Sequence, residues 1–400
     1  MTKRPAHILP VIVISQFAGT SLWFAGNAVI PDLQKSWGLS ADALGYITSS
    51  VQLGFITGTL VFAFFAISDR VSPRKLFLAC SFLGALSTVA TTLTPSEFSF
   101  LVVLRFATGF FLAGIYPVGM KIASGWFDRD LGRALGYLVG ALVVGTALPH
   151  LIRGVGQTLP WEYVMVTVSL IAAIGGVIMY MSVPDGPFLK AGAPFDPKAF
   201  LVIFGSKRFR ASSFGYFGHM WELYTVWVFM PALVLLYLAT HDKTGWNVPF
   251  LSFCIIAIGG LSCVVSGLVA LKRGSAPVAF YHLLISGLCC LIAPLMIFTP
   301  PVIFVLYLLV WGITVIGDSA QYSTMNAKYA PPELVGSALT YVNAIGFGLS
   351  VVSIQLVSYA VEAIGVQNAF LLLLPGPLFG LWALMPLMGR EGDRQGEGAL

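Results

Sequence analysis

The chain has 400 residues, of which 57% are hydrophobic and only 10% are charged, whereas ordinary soluble domains contain roughly 25% charged residues. No soluble fold could bury that much apolar side chain, so the composition excludes a soluble protein. The formal net charge of +5 does not indicate nucleic-acid binding, because the basic residues lie in separate loops rather than in one patch.

Predicted membrane spans follow one another along the chain. Charged residues and Pro- or Gly-rich breaks cut the sequence into apolar runs of about 20 residues, the length that a spanning helix needs. The predicted spans are 8–31, 43–67, 74–94, 98–120, 131–153, 162–183, 212–238, 247–271, 277–298, 301–325, 335–361 and 366–388. Runs of this length without strict alternation exclude a β-barrel. We therefore predict an all-α integral membrane protein with twelve transmembrane helices.

The basic residues predict the orientation of these spans. Lysine and arginine are enriched on the cytoplasmic side of membranes, and most of the 22 in this chain fall in alternate loops, on the same side as both chain ends. We expect a multi-pass protein of the cell (inner) membrane with both termini in the cytoplasm.

The second half of the sequence resembles the first. The start of the fifth span, GRALGY at 132–137, is similar to the start of the eleventh, GSALTY at 336–341, at an offset of 204 residues. We predict two pseudo-symmetric six-helix bundles with a linker and a tail. The predicted domains are the N-terminal bundle 1–184, the cytoplasmic linker 185–210, the C-terminal bundle 211–388 and the cytoplasmic tail 389–400.

Pairs of glycines four residues apart predict where helices approach closely. Gly54 and Gly58 lie on the second span, and Gly136 and Gly140 lie on the fifth. Small residues at this spacing let helix backbones come together in membranes. We expect these four glycines to form packing faces within the protein.

Two motifs resemble those of the major facilitator superfamily. The loop after span two, FAISDRVSPRK at 65–75, resembles the family pattern Gly-x-x-x-Asp-Arg-x-Gly-Arg-Arg/Lys, with Phe65 and Ser72 in place of the glycines. Arg105, followed four residues later by Gly109, matches the family's fourth span. The resemblance implies a transporter that works by alternating access, with spans one, four, seven and ten lining a central cavity.

The same resemblance implies a gating role for the loop after span two. By it, Asp69, with Arg70 and Arg74, would bond neighbouring helices when the outer gate is open. The alternative is that this loop is only a basic anchor at the membrane boundary, although an acid is unusual in such an anchor.

Three predicted spans carry ionisable residues well inside the membrane, where a charge at the bilayer centre costs at least ~2.5 kcal/mol. Glu222 lies near the middle of span seven, with His219 three residues before it, and Asp318 lies on span ten. We expect Glu222, with Asp318 in reserve, to carry the coupling proton. Arg105 and His219 are expected to bind an acidic group of a solute. Purely structural roles for Arg105 and Asp318 are the alternatives.

Polar residues on spans one and ten complete the predicted solute site. Gln16, Trp23 and Asn27 fall on one helix face, and Gln321 lies one turn after Asp318. We expect these four side chains to bind the solute. The alternatives are that the amides join helices and that the tryptophan only packs.

Neither a cofactor nor a metal site is predicted, because there is no Gly-x-x-x-x-Gly-Lys-Ser/Thr loop and the histidines and cysteines lack ligand spacing. The leading hypothesis is a secondary active transporter, working as a monomer, that uses protons or another ion to move a small anionic or zwitterionic organic solute. One rival is a proton-driven multidrug exporter, in which the acids bind cationic amphiphiles. Another is a membrane-embedded enzyme or a scaffold, but no catalytic set appears at usable spacing.

Overall fold

The computed structural model describes residues 5–93, 96–127, 131–189, 196 and 199–389. Regular structure in these residues is entirely helical, and the prediction of an all-α protein is confirmed. Most of the predicted tail, residues 390–400, lies outside the described residues, as do residues 190–195, 197 and 198 of the predicted linker.

The α-helices of the described residues range in length from 4 to 34 residues. They are α1 (Ile8–Thr20), α2 (Ala25–Trp37), α3 (Ala43–Phe64), α4 (Ile67–Arg70), α5 (Pro73–Ala90), α6 (Phe98–Leu112), α7 (Tyr116–Trp126), α8 (Leu131–Val155), α9 (Glu162–Ser182), α10 (Ala199–Ile203), α11 (Lys207–Thr240), α12 (Val248–Arg273), α13 (Ser275–Met296), α14 (Pro301–Thr314), α15 (Ser319–Tyr329), α16 (Val335–Ile364), α17 (Val366–Ala369) and α18 (Pro375–Met388). Short 3-10 turns at Pro332–Leu334 and Phe370–Leu373 precede α16 and α18.

Eleven segments of the described chain are long and apolar enough to cross a membrane. The helix α5 is a further apolar segment of 18 residues, with two basic residues in its first turn. These helices match the twelve predicted spans in number and order, and the chain is a multi-pass membrane protein.

Three predicted spans are broken rather than continuous. Residues 21–24 separate α1 from α2, residues 113–115 separate α6 from α7, and residues 315–318 separate α14 from α15. The expectation of continuous helices over 8–31 and the two later spans was therefore wrong. At the second break, Pro117 lies in the first turn of α7, where its missing N–H leaves no hydrogen bond unmade. The same proline in the interior of a longer helix would interrupt that helix.

The chain forms two compact units. The first contains Met1–Gly192 with Thr244–Ala257, and the second contains Ala193–Lys243 with Ile258–Leu400. In the first unit α3 packs along α6, α5 along α9, and α1 against α8 and α9. In the second unit α11 packs against α16 and α18, and α13 packs against α14, α15 and α18. The predicted domain boundaries stay a prediction.

Glycines bring α3 and α6 into backbone contact. A Cβ atom on Gly54 or Gly58 would overlap the backbone of Phe106 or Phe110 in α6. A Cβ atom on Gly109 would in turn overlap the backbone of Val51 in α3. The predicted packing face on span two is thus present.

The corresponding prediction for Gly136 on span five was wrong. A Cβ atom built there would meet no other atom within 4 Å. The four-residue spacing allows close approach, but it does not specify that a neighbouring helix lies on that face.

Alanine substitutions at Gly109 and Gly136 should have opposite effects on stability. Both glycines lie inside helices, so alanine gains roughly 0.5–1 kcal/mol of helix preference at each site. At Gly109 the new methyl group meets the backbone of Val51, and overpacking of this kind costs about 1–3 kcal/mol. Thermal unfolding of the detergent-purified variants should show Gly109→Ala melting below the parent and Gly136→Ala at or above it. Equal melting temperatures would contradict the close contact.

Candidate functional site

Arg105 holds together the break in the first span. Its side chain is fully buried, and its Nη2 donates to the carbonyl oxygens of Leu22 and Trp23 at 3.0 and 2.5 Å. Gly26 lies beside it, so close that a Cβ there would be 3.1 Å from Nε of Arg105. Carbonyls released where a helix ends need new donors, and the guanidinium supplies them for residues between α1 and α2.

The rest of the Arg105 guanidinium is not used in this way. Among the described residues, its Nε and Nη1 have no hydrogen-bond partner although both are buried. A buried arginine without an opposite charge is costly, and its planar group matches carboxylate geometry. Arg105 therefore has donors left for an anionic group.

The other predicted solute contacts of the first unit lie in different surroundings. Trp23 is buried against Phe55, with ring centroids 4.9 Å apart. Asn27 donates from Nδ2 to Oγ1 of Thr48 at 2.7 Å, which joins α2 to α3. Gln16 is fully buried, and neither atom of its amide has a hydrogen-bond partner within the described chain. Gln16 therefore keeps polar groups for a further ligand.

In the second unit, His219 and Asp318 meet in the interior. The Nδ1 atom of His219 in α11 lies 2.9 Å from Oδ1 of Asp318, and both side chains are buried. The rings of Tyr216 and Tyr322 flank the imidazole, with centroids 6.0 and 5.4 Å away. The contact becomes an ion pair when the imidazole is protonated, and it places α11 beside the break before α15.

Glu222 lies one helical turn beyond His219. It is fully buried; its Oε2 accepts a weak bond from Sγ of Cys290 at 3.5 Å, and its Oε1 has no partner in the described residues. Asp318 is near enough for the two carboxylates to interact electrostatically. Gln321 follows in the first turn of α15 and is also buried. Two acids and an imidazole thus share one water-poor interior.

The residues predicted for gating form two separate groups. Asp69 pairs with Nζ of Lys121 in α7 at 2.5 Å, and the same ammonium donates to the carbonyl of Ser68 at 2.6 Å. Arg74 instead points to the end of α9: its Nε is 3.9 Å from Asp185, and its guanidinium lies 5.3 Å from the ring centroid of Tyr180. Arg70 is exposed.

Sequence reasoning missed Lys121 and Cys290. A lysine at the end of a span is typical of the membrane boundary, so nothing marked Lys121 as the partner of Asp69. A lone cysteine in an apolar run carries no signal for contact with a particular acid. Pro117 was a usable signal for the break in the fourth span, because proline favours the first turn of a new helix.

These features belong to a known class of membrane protein. The model of the Major Facilitator Superfamily matches residues 12–354, and the chain belongs to this family. A probable L-galactonate transporter of Escherichia coli strain K12 is 24% identical over 285 residues, which cover 64% of this chain and 60% of that protein. The chain thus matches less than two thirds of this curated relative's length.

Solved structures have the same fold. The proton:xylose symporter XylE has a TM-score of 0.75 at 12% identity, covering 96% of this chain and 97% of that one. The nucleoside transporter NupG has a TM-score of 0.71 at 14% identity, covering 95% and 99%. At such low identity the likeness shows the fold alone, and the predicted fold is confirmed.

Removing the Arg105 guanidinium should destabilise the first unit. In Arg105→Met the carbonyls of Leu22 and Trp23 lose their donor, and the two charge-assisted hydrogen bonds are worth about 3–6 kcal/mol. Part of this loss is offset, because the variant no longer carries the desolvation cost of a buried charge. We expect a net loss of about 2–4 kcal/mol, and partial recovery in Arg105→Lys, which keeps a donor.

Thermal unfolding in detergent checks this, with Arg74→Met as the control. Arg74 is partly exposed, and its contacts to Asp185 and Tyr180 are long, so its loss should cost no more than about 1 kcal/mol. An Arg105→Met protein that melts with the parent would contradict the bridging role of the arginine.

Proposed function

We propose that the chain is a secondary active transporter that moves a small organic solute with an anionic or zwitterionic group by alternating access, driven by protons. The observation that carries the proposal is the buried group of His219, Glu222 and Asp318. Three titratable side chains held away from water are costly and are typical of proton pathways in membranes.

The surroundings of the two acids differ in a way that suits proton coupling. Asp318 has a basic neighbour, since Nδ1 of His219 lies 2.9 Å from its Oδ1, and it lies at the N-terminus of α15. Glu222 faces the neutral side chains of Cys290 and Ser286, so its proton is not tied to a basic partner. Glu222 is therefore the main candidate for the proton carrier, with Asp318 in reserve.

Arg105 supports an anionic solute rather than a cationic drug. Its buried Nε and Nη1 donors suit a carboxylate and would repel a cationic amphiphile, which the rival multidrug exporter would have to admit. The relative described as a probable L-galactonate transporter is named for a carboxylate, which agrees with the proposal of an anionic solute. Gln16, Trp23, Asn27, His219 and Gln321 are proposed to complete recognition of the solute.

The pair of Asp69 and Lys121 supports a gating role for the loop that contains α4. It links this short helix to α7, and an ion pair at a partly exposed position is weak enough to open. We propose that it breaks and reforms during the transport cycle, with Arg70 and Arg74 as neighbouring basic contacts. The proposal also includes a location in the inner membrane with both termini in the cytoplasm, which rests on the distribution of basic residues, and a monomer as the working unit.

Neutralising Glu222 should separate coupling from transport. Proteoliposomes with an imposed pH gradient are first tested with labelled sugar acids, beginning with L-galactonate, and the acid that accumulates is used for the variants. Glu222→Gln mimics the protonated side chain. It should lower uphill accumulation at least about tenfold, a loss of at least ~1.4 kcal/mol of coupling, while exchange between two filled compartments persists.

The control is Glu162→Gln, which removes an acid from the first turn of α9 and should leave both measurements unchanged. If Glu222→Gln still concentrates the solute, Glu222 is not the coupling site. If no organic acid accumulates in the parent protein under any pH gradient, the proposed solute class is wrong.

Removing the charge of Asp69 should slow turnover without unfolding the protein. Asp69→Asn and Lys121→Met both break the same ion pair, so each should lower the exchange rate, and the exchanged pair Asp69→Lys with Lys121→Asp should recover part of it. Glu162→Gln, which removes an acid from the first turn of α9 rather than from this loop, is again the control. Normal exchange rates in both single variants would show that the loop is only a structural anchor.

A further inference from the structure

A groove of about 540 Å³ runs along α12 in the second unit. Its long wall is formed by side chains of α12 from Ile258 to Arg273, and the start of α13 forms the opposite wall. Fifteen residue rises separate the two ends of the long wall, a length of about 22 Å. This exceeds half the hydrocarbon thickness of a bilayer, about 15 Å, so one acyl chain could lie in the groove over its full length.

The groove is open along an apolar side. Leu261 and Val265 are 65% and 50% exposed, and Val269 and Tyr281 are also exposed. The three α12 residues recur every four positions, so they lie on one face of a helix that is apolar enough to span the membrane. Such a surface favours contact with hydrocarbon rather than with a water-borne solute.

One end of the groove is positively charged. Arg273 lines this end, in the last turn of α12, and Lys272 precedes it. Arg273 is exposed, and among the described residues it forms no hydrogen bond or ion pair. The residues that line the groove include no acid. A cation without a partner at the mouth of an apolar groove complements an anionic lipid headgroup.

The polar atoms on the groove's floor already have partners inside the protein. Oγ of Ser266 donates to the carbonyl of Gly317 at 2.5 Å, and Oγ of Ser262 lies 3.4 Å from Nε2 of His282. The His282 ring also contacts the carbonyl of Val278 through Nδ1, at 2.9 Å. The floor therefore offers no competing polar site, and an acyl chain can cover it without leaving these groups unbonded.

We propose that this groove is a binding site for one anionic phospholipid, with its phosphate on Arg273 and one acyl chain along Leu261, Val265 and Val269. The bound chain covers the side of α12 whose Ser266 supports the carbonyl of Gly317, next to Asp318. The lipid thereby stabilises the break between α14 and α15 from the membrane side. The site does not depend on which solute the protein transports.

Native mass spectrometry of the delipidated protein tests the site. Phosphatidylglycerol and phosphatidylcholine with identical acyl chains are titrated separately, and one phosphatidylglycerol should be retained more strongly than phosphatidylcholine. Arg273→Glu should weaken its retention on the order of tenfold. Lys272→Glu makes the same charge change one residue away, outside the groove, and should weaken retention clearly less.

A second pair of variants tests the acyl chain. Leu261→Trp fills the groove, whereas Leu268→Trp places the same bulk at an exposed position of α12 outside the groove. Within this pair, only Leu261→Trp should lose the lipid. Added phosphatidylglycerol should raise the melting temperature of the parent and of the controls Lys272→Glu and Leu268→Trp, but not that of Arg273→Glu or Leu261→Trp. Equal effects within either pair would overturn the site, as would equal retention of the two lipids by the parent. Neither readout involves transport, so failure here is independent of the proposed function.

Discussion

A peptide carbonyl inside a bilayer has no water to accept from, so every break in a spanning helix must be bonded by the protein itself. In the first unit Arg105 donates to the two carbonyls of Leu22 and Trp23. In the second unit Ser266 and Cys263 of α12 supply donors to the carbonyls of Gly317 and Ile316. Polar side chains occur at these places in otherwise apolar helices because the broken backbone needs them.

The candidate site is built on the same breaks. Arg105 bonds one break and keeps spare donors, and Asp318 stands at the end of another, where it meets His219. Arg105 and Asp318 are polar side chains at broken backbone, and their contacts there leave each of them few accessible rotamers. Sites of this kind are preorganised, because the backbone that they satisfy also fixes their position.

The fold class and most of the spans could be predicted, because length and apolarity decide whether a helix crosses a membrane. The cost of burying charge also singled out Arg105, Glu222 and Asp318 without any coordinates. The meeting of His219 with Asp318 could not be predicted, since it depends on how two distant helices are rotated. Mean hydropathy over a span does not reveal an interrupted helix either, because the few residues at a break, such as 113–115, hardly change the mean. Gly136 shows the same limit, since spacing does not reveal whether a neighbour is present.

The proposed double use of Arg105 restricts how solute preference could change over evolution or by design. A transporter that altered its specificity by replacing this arginine would also lose the donor for two carbonyls, and few substitutions offer both a long reach and several N–H groups. Adaptation to neutral or cationic solutes would therefore have to begin elsewhere. Gln16 is a better starting point, because its amide forms no hydrogen bond within the described residues, so replacing it removes no donor from the broken backbone of the first span.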